Sequence, residues 1–355
     1  MRILHLDSGR HWRGGQRQVF LLASSQREAG IEPLVVSAPH SPLAGRLKTA
    51  GIASAAVDMR ADYDLFAMRR VRRIYSRWRP DVVHAHDARA HAIALGALIG
   101  TDVPLIVTRR VPFLPKGRLK YGPRVTHFIA ISQAVRRALQ EGGVAAARCT
   151  VVYSGVRTPT PTKPRDWRRE AGWPSDVLLC GVVGAMTAEK GVEQLHHIAE
   201  RLAPEVRGQL RLVLLGGSAI GRDAFGGVEG YRAGFVDAIH DAMAGLDMLW
   251  HPSGAEGLGT AVIDAMALGI PPVTYATGGL AELVEHEQSG LLAPPGDTAA
   301  FAAQVARLAS DGSLRAQLAA GGRRRAADFS VDRMAQGTAA VYETVLAAAG
   351  NVRNP

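Results

Sequence analysis

Short β-branched runs alternate with longer amphipathic ones along nearly all of this 355-residue chain, and that alternation admits few folds. "MRILHLD" reads as a strand, "GGQRQVFLLASSQREAG" as a helix ending at Gly30, "EPLVVSA" as a strand, "LAGRLKTAG" as a helix and "ASAAVD" as a strand. The rhythm continues through "FAMRRVRRIYSRWRP", "DVVHAH", "ARAHAIALGALIG", "PLIVTRR", "THFIAIS", "QAVRRALQEGG" and "CTVVYSG". Strands spaced by helices of this length need crossover connections, and hence a parallel, doubly wound α/β sheet. A second series follows: "VLLCGVVGAM" strand, "GVEQLHHIAERLAP" helix, "LRLVLLGG" strand, "FVDAIHDAMAGL" helix and "DMLWHPS" strand. It closes with a helix in "TAVIDAMALG", a strand in "PPVTYA", a helix in "LAELVE" and an alanine-rich helix near 298–310.

Between the two series lies the proline- and threonine-rich "RTPTPTKPR", and the charge changes sign there. Residues 1–165 hold 27 lysines and arginines against 10 acids, a balance of +17, while 166–355 hold 15 against 22, a balance of −7. Two Rossmann-like domains are expected, 1–157 and 166–330, joined by a linker at 158–165 and facing each other across a ligand-binding cleft. The basic first half calls for an anionic partner: a nucleic acid, a phosphorylated substrate or an anionic membrane surface. No apolar stretch approaches the roughly 18 residues of a membrane span, and the start lacks a signal-peptide core, so a cytoplasmic protein is expected. Cys149 and Cys180 lie in apolar runs without metal-ligand spacing and read as reduced core residues.

Several stretches carry the residue types of a binding site. "RGGQRQ" follows the first strand and opens a helix, so Gly14 and Gly15 can aim backbone N–H groups at an anion or simply turn the chain. GxGxxG is absent, since residues 9–15 read "GRHWRGG", which argues against a dehydrogenase. In "VVGAMTAEKGV", Lys190 stands at a strand-to-helix turn, able to reach a phosphate or merely to be solvated. "HPSGAEGLGTAVIDAMALG" sets Glu256 in a glycine-rich turn and Asp264 about two helical turns on, among apolar neighbours where an ionised carboxylate needs a partner. Such spacing suits two ends of one elongated ligand better than an acid/base pair on one bond. "VVHAHD" places His84, His86 and Asp87 at a strand's carboxyl end; with no further histidine or carboxylate cluster in view, no metal is expected there. Arg69, Arg70, Arg72, Arg73, Arg77 and Arg79 interleave with Val71, Ile74, Tyr75 and Trp78, as on a solvated helix face or on one that meets anionic lipid.

In order along nearly the whole chain, "RGGQRQ", "VVHAHD", "AISQAVRRAL", "VVYSGV", "VVGAMTAEKG", "LVLLGG", "AGFVD" and "HPSGAEGLGTAVIDAMALGIPPVTYATGGLAELVEHEQSGLLAPPGD" resemble the bacterial family-4 glycosyltransferases of GT-B fold. The resemblance implies transfer of a sugar from a nucleotide-sugar, UDP-linked in the first instance, with retention of configuration and no required metal or cofactor. It implies that Glu256 meets the donor sugar and Asp264 the ribose. Lys190 with the amides of Gly14 and Gly15 would meet the diphosphate, Gly234, Phe235 and Val236 would border the base, and Gly257, Leu258, Gly259 and Thr260 would line the donor. A final helix at about 332–350 would cross back to the first domain.

Three departures stand out. Asp264 replaces the family's usual glutamate, Ala185 stands where an arginine often accompanies the lysine, and Thr108, Arg109 and Arg110 stand where many members carry a histidine. Arg13, Arg17, Arg109 or Arg110 would supply the missing cation, and His86 or Asp87 would approach the reacting sugar. The expected product is a cell-surface glycan or glycolipid, such as lipopolysaccharide or polysaccharide, made at the inner face of the membrane. The rivals are a nucleotide-sugar 2-epimerase on the same fold and a basic nucleic-acid-binding protein; the second is opposed by the acidic second half and the lack of a reader motif.

Overall fold

The structure is a computed structural model and describes residues 1–352 apart from 116, 118 and 119. It divides into two compact units, 1–155 with 331–355, and 156–330. The first runs β1 (Arg2–Leu6), α1 (Gly14–Glu28), β2 (Glu32–Ser37), α2 (Pro42–Thr49), β3 (Ser54–Ala56) and α3 (Leu65–Trp78). It continues through β4 (Val82–Ala85), α4 (Ala88–Ala97), β5 (Leu105–Arg109), β6 (His127–Ala130), α5 (Gln133–Glu141) and β7 (Cys149–Val151). Its seven strands are parallel in the order β3-β2-β1-β4-β5-β6-β7, so the winding reverses between β1 and β4. At such a reversal the loops leaving adjacent strand ends part and open a crevice for ligands.

The second unit runs α6 (Trp167–Ala171), β8 (Leu178–Val183), α7 (Gln194–Glu200), α8 (Pro204–Gln209), β9 (Leu210–Phe225), β10 (Val228–Gly234) and α9 (Ile239–Met243). Then come β11 (Met248–His251), α10 (Thr260–Leu268), β12 (Pro272–Tyr275), α11 (Leu280–Leu283), β13 (Leu291–Ala293), α12 (Thr298–Ser310) and α13 (Gly312–Ala326). The strand order β10-β9-β8-β11-β12-β13 reverses between β8 and β11. The segment 158–165 is laid along this unit, with the Thr162 and Arg165 amides donating to Asp241. Last, α14 (Val331–Val352) belongs to the first unit, where Val331, Met334, Val341, Tyr342 and Val345 join Ile3, Leu21, Leu22, Val82 and Ile106 in one core.

The second sheet departs from the expected pattern. "LRLVLLGG" does not lead to a helix: β9 runs on to Phe225, doubles back, and β10 pairs with it. Val228 to Ala233 face Phe225 to Ile220 antiparallel, while Gly230, Tyr231, Arg232 and Gly234 also stand opposite Leu212, Val213, Leu214 and Gly216. The chain doubles back through Gly226 and Gly227, both at positive φ, and within β9 Gly216 has a φ of +137° and a missing Cβ that would lie 1.9 Å from the Gly184 carbonyl oxygen. Accordingly "FVDAIHDAMAGL" contributes only the single turn of α9, and "LAELVE" only α11. Both β13 and α13 are additions to the expected series. Cys149 and Cys180 are buried free thiols, Cys180 pushed far up in pKa by burial.

Gly216→Ala should cost at least about 2 kcal/mol, because it adds left-handed backbone strain to a backbone clash. Gly208→Ala, in α8 with open space around its Cβ position, should change stability by less than about 1 kcal/mol in the stabilising direction. Urea titration of both variants checks the contrast.

Candidate functional site

Helices begin with amides that lack intrahelical partners. In α2, α3, α4, α5, α6, α12 and α13 a side chain supplies one: Ser41, Asp64, Asp87, Ser132, Asp166, Asp297 and Asp311 accept first-turn N–H groups. In α1 and α10 no side chain does, their N-caps being Arg13 and Gly259. Among the described residues, no hydrogen bond ends on the amides of Gly14, Gly15, Gly257, Leu258, Gly259 or Thr260. These two helix starts stand at the carboxyl ends of β1 and β11, each beside the reversal of its own sheet.

In the second unit the loop after β8 brings Lys190 to Glu256, in the loop after β11. Its ammonium donates to Glu256 Oε2, and His251 Nε2 lies 3.3 Å from the same oxygen. His251 ends the apolar strand "MLWH" at 4% exposure and was missed in the sequence, although a histidine at the carboxyl end of a buried strand is the available signal. Burial pushes the Glu256 carboxyl up, but His251 and Lys190 together overcome it and hold the pKa at about 2. The carboxylate is ionised and acceptor-only at neutral pH.

The turn that holds Glu256 is fixed from behind. Its carbonyl accepts from the Gly279 amide at 3.0 Å, and a Cβ on Gly278 would lie 2.2 Å from that same oxygen. Asp264 is 2% exposed, and its required partner is His240 of α9, 3.0 Å away. Its helix is buried on nearly every side, Val262, Ile263, Ala265 and Met266 included. Gly234 ends β10 with φ +65°, and the next side chain, Phe235, is 61% exposed.

In the first unit, Asp87 caps α4 through the Arg89 and Ala90 amides and accepts from Ser8 N and Oγ at 2.6 Å. His86 is 1% exposed. A third histidine, His5 of β1, joins it and His84, which the sequence spacing concealed. The cluster is already hydrogen-bonded throughout. His5 Nε2–H donates to Gln26 Oε1 at 2.7 Å, so His5 Nδ1 accepts from His86 Nε2–H at 2.8 Å. His84 bridges Tyr342 OH and Thr108 Oγ1 at 2.6 and 2.7 Å. Burial holds all three imidazoles neutral, His5 down to about 4, and Arg110 Nη2 lies 3.4 Å from His86 Nδ1. With its nitrogens spent and a cation alongside, this cluster does not fit a metal ion. Asp7 beside it is raised to about 6, chiefly by burial and then by Asp87.

Other cations weighed from the sequence are placed elsewhere: Arg109 donates to Phe113 O and Tyr121, and Arg72 donates to Ala97 O and Ile99 O at the end of α4. Arg72 therefore leaves the exposed basic face, which retains Arg69, Arg70, Arg73, Arg77 and Arg79.

Two Rossmann-like units of this kind make up the GT-B architecture. The sequence profile of glycosyltransferase family 4 matches residues 12–159, and that of the group 1 glycosyl transferases matches 178–311. A D-inositol 3-phosphate glycosyltransferase of Xylanimonas cellulosilytica is 30% identical over 295 residues, 75% of this chain and 67% of that protein. The enzyme of the same name from Salinispora arenicola is 32% identical over 200 residues, 52% of this chain and 45% of that protein. The chain spans about half the length of several such curated relatives. The Anabaena protein Alr3699/HepE, solved with UDP and glucose, superposes with a TM-score of 0.83 at 21% identity, over 97% of this chain and all of that one. The chain belongs to the family-4 glycosyltransferases.

Because Glu256 titrates near 2 when folded and near 4.5 in the open chain, its contribution is present above about pH 4.5 and fades as pH falls toward 2. Wild type should lose on the order of 3 kcal/mol across that window relative to Glu256→Gln, read by denaturant unfolding at a series of pH values.

Proposed function

We propose that this protein is a retaining glycosyltransferase that moves a sugar from a UDP-type nucleotide-sugar to a glycan or glycolipid acceptor of the cell surface, as in lipopolysaccharide or polysaccharide synthesis. The observation that carries the reading is the Lys190–Glu256–His251 cluster beside the unmatched amides of 257–260. Breaking the bond from the anomeric carbon to the diphosphate puts charge on the leaving oxygens, where a lysine and fixed amide dipoles lower the barrier most. Glu256, ionised and rigidly backed, accepts from the sugar hydroxyls and orients the ring. Asp264, one methylene short of the family's glutamate, serves the ribose in concert with His240. Phe235 offers an exposed ring to the base, with Gly234 and Val236 beside it. With Lys190 supplying the positive charge, no resident metal is required. His86 and Asp87 act in the first unit on the acceptor side, through Arg110 and Ser8 rather than by touching it. That Alr3699/HepE was solved with UDP and glucose supports the choice of donor.

Glu256→Gln and Lys190→Ala should each lower transfer from labelled UDP-sugars at least about a hundredfold while the circular dichroism spectrum is kept. Full activity in either would sink the assignment. Epimerised donor formed without acceptor would favour the epimerase instead.

The acceptor's setting is read from α3. Its capped start presents Tyr63, Leu65 and Phe66 at 86, 62 and 77% exposure, followed by the exposed Arg69, Arg70, Arg73 and Arg77. A Lys120–Asp62 ion pair of 3.0 Å ties this start to the chain that follows β5, where Phe113 and Leu114 are also exposed. Apolar side chains ringed by arginines suit the headgroup zone of an anionic membrane. No described helix is long and apolar enough to cross one. The protein should float with phosphatidylglycerol vesicles at low salt, and Phe66→Ser with Arg69→Glu and Arg70→Glu should abolish this; failure of wild type to float removes the membrane reading.

A further inference from the structure

Two donors converge on one oxygen of Glu256. The Lys190 ammonium and His251 Nε2 both reach Oε2, and among the described residues no hydrogen bond ends on Oε1. An ionised carboxylate only accepts, so the imidazole nitrogen that faces it carries a proton. The two donors are held very differently. His251 ends β11 at 4% exposure, in register with Thr274 of β12, so a buried strand fixes its ring. Lys190 reaches the carboxylate along four methylenes from the loop after β8, and its side chain is 30% exposed.

The two loops meet at their backbones. A Cβ on Gly191 would lie 1.9 Å from the Pro252 carbonyl oxygen, and Ser253 Oγ donates to Glu189 O at 3.0 Å. The backbone at Lys190 is therefore anchored while its ammonium can turn about the flexible stem. In the reading given above, that ammonium serves the leaving diphosphate. Once it turns there, the direct ion pair is broken and a carboxylate with a side chain 14% exposed loses a countercharge. Under burial alone it would take up a proton, and a protonated carboxyl donates where the sugar hydroxyls need an acceptor. The chain that backs the turn offers Gly278, Gly279 and Leu280, none of them titratable. His251 is the titratable neighbour that stays, and it lowers the Glu256 pKa more strongly than Lys190 does.

We propose that His251 is a positioning residue of the transfer reaction, holding Glu256 in place as an acceptor while Lys190 exchanges that carboxylate for the leaving diphosphate. The ion pair between Lys190 and Glu256 is then the resting arrangement, in which cation and carboxylate satisfy each other until the donor replaces it. His251 acts through Glu256 rather than on the sugar: its N–H stays on Oε2 and leaves Oε1 to the hydroxyls. The proposal rests on the glycosyltransferase reading for what Lys190 turns to, and on the burial and register of β11 for what remains behind.

The test uses the full chain carrying Lys190→Ala, which imposes the state in which the lysine has turned away. Carboxyl carbon-13 spectra should show Glu256 still titrating below its ordinary 4.5 in this variant, and above 4.5 once His251→Leu is added. His251→Gln, whose amide N–H can take the place of Nε2–H without its charge, should fall between. Nitrogen-15 spectra of Lys190→Ala give a second measurement that does not depend on His251→Leu folding: His251 Nε2 should carry a proton at neutral pH and shift as Glu256 titrates. With Lys190 present, His251→Leu should bind UDP as wild type does but lose about tenfold of its preference for UDP-glucose over UDP, because only the sugar meets Glu256, and His251→Gln should recover most of it. The same Glu256 titration with and without His251→Leu, an unprotonated Nε2, or an unchanged preference for UDP-glucose would overturn the proposal. If wild type binds neither compound, or does not prefer UDP-glucose, the choice of donor falls while the spectra of Lys190→Ala still decide this one.

Discussion

Of the helix starts that lack a capping side chain, those of α1 and α10 follow the strands beside the reversal of each sheet. Leaving backbone N–H groups unmatched is costly, and seven described helices avoid the cost with a serine or aspartate. At α1 and α10 the place of such a residue is taken by Arg13 and Gly259, neither of which contributes a side-chain acceptor. Each sits where its sheet changes winding direction, so the unpaired amides fall in the crevice that the topology opens. The sheet order determines where these amides lie, and the missing caps leave them without an intramolecular acceptor among the described residues.

Charge follows the same logic. In the second unit one carboxylate is ionised in a turn because a lysine and a histidine converge on it, and the Gly279 amide holds the turn by donating to its backbone carbonyl. In the first unit two neutral imidazoles, His5 and His86, and Gln26 form an ordered chain that ends at Arg110. In one unit lysine and carboxylate pair directly, whereas in the other Arg110 meets His86 and is acted on by Asp7 and Asp87 at longer range.

Periodicity made the sheet-and-helix series legible, because apolar runs of two lengths report crossovers without any tertiary information. It failed at "GGSAIGRDAFGGVEGYRAG", where the chain reverses through glycines at positive φ and alternation cannot show a strand folding back on itself. Within the site, Lys190, Glu256 and Asp264 were visible as polar residues in turns or among apolar neighbours. His5 was not, since its meeting with His86 spans 81 residues and is made by the β1–β4 register. Arg72 misled for a related reason: a stripe of arginines does not reveal which one turns inward to hold carbonyls at the end of a neighbouring helix.

The placement of α14 bears on how such a chain is made. The core of the first unit includes Val331, Met334, Val341 and Tyr342, and Tyr342 also closes the polar chain through His84. On a ribosome the second unit's residues emerge complete while the first still lacks one wall. The first unit must therefore wait, with an apolar face uncovered, for a helix encoded after its neighbour. The domain that begins the sequence is the one that finishes folding last.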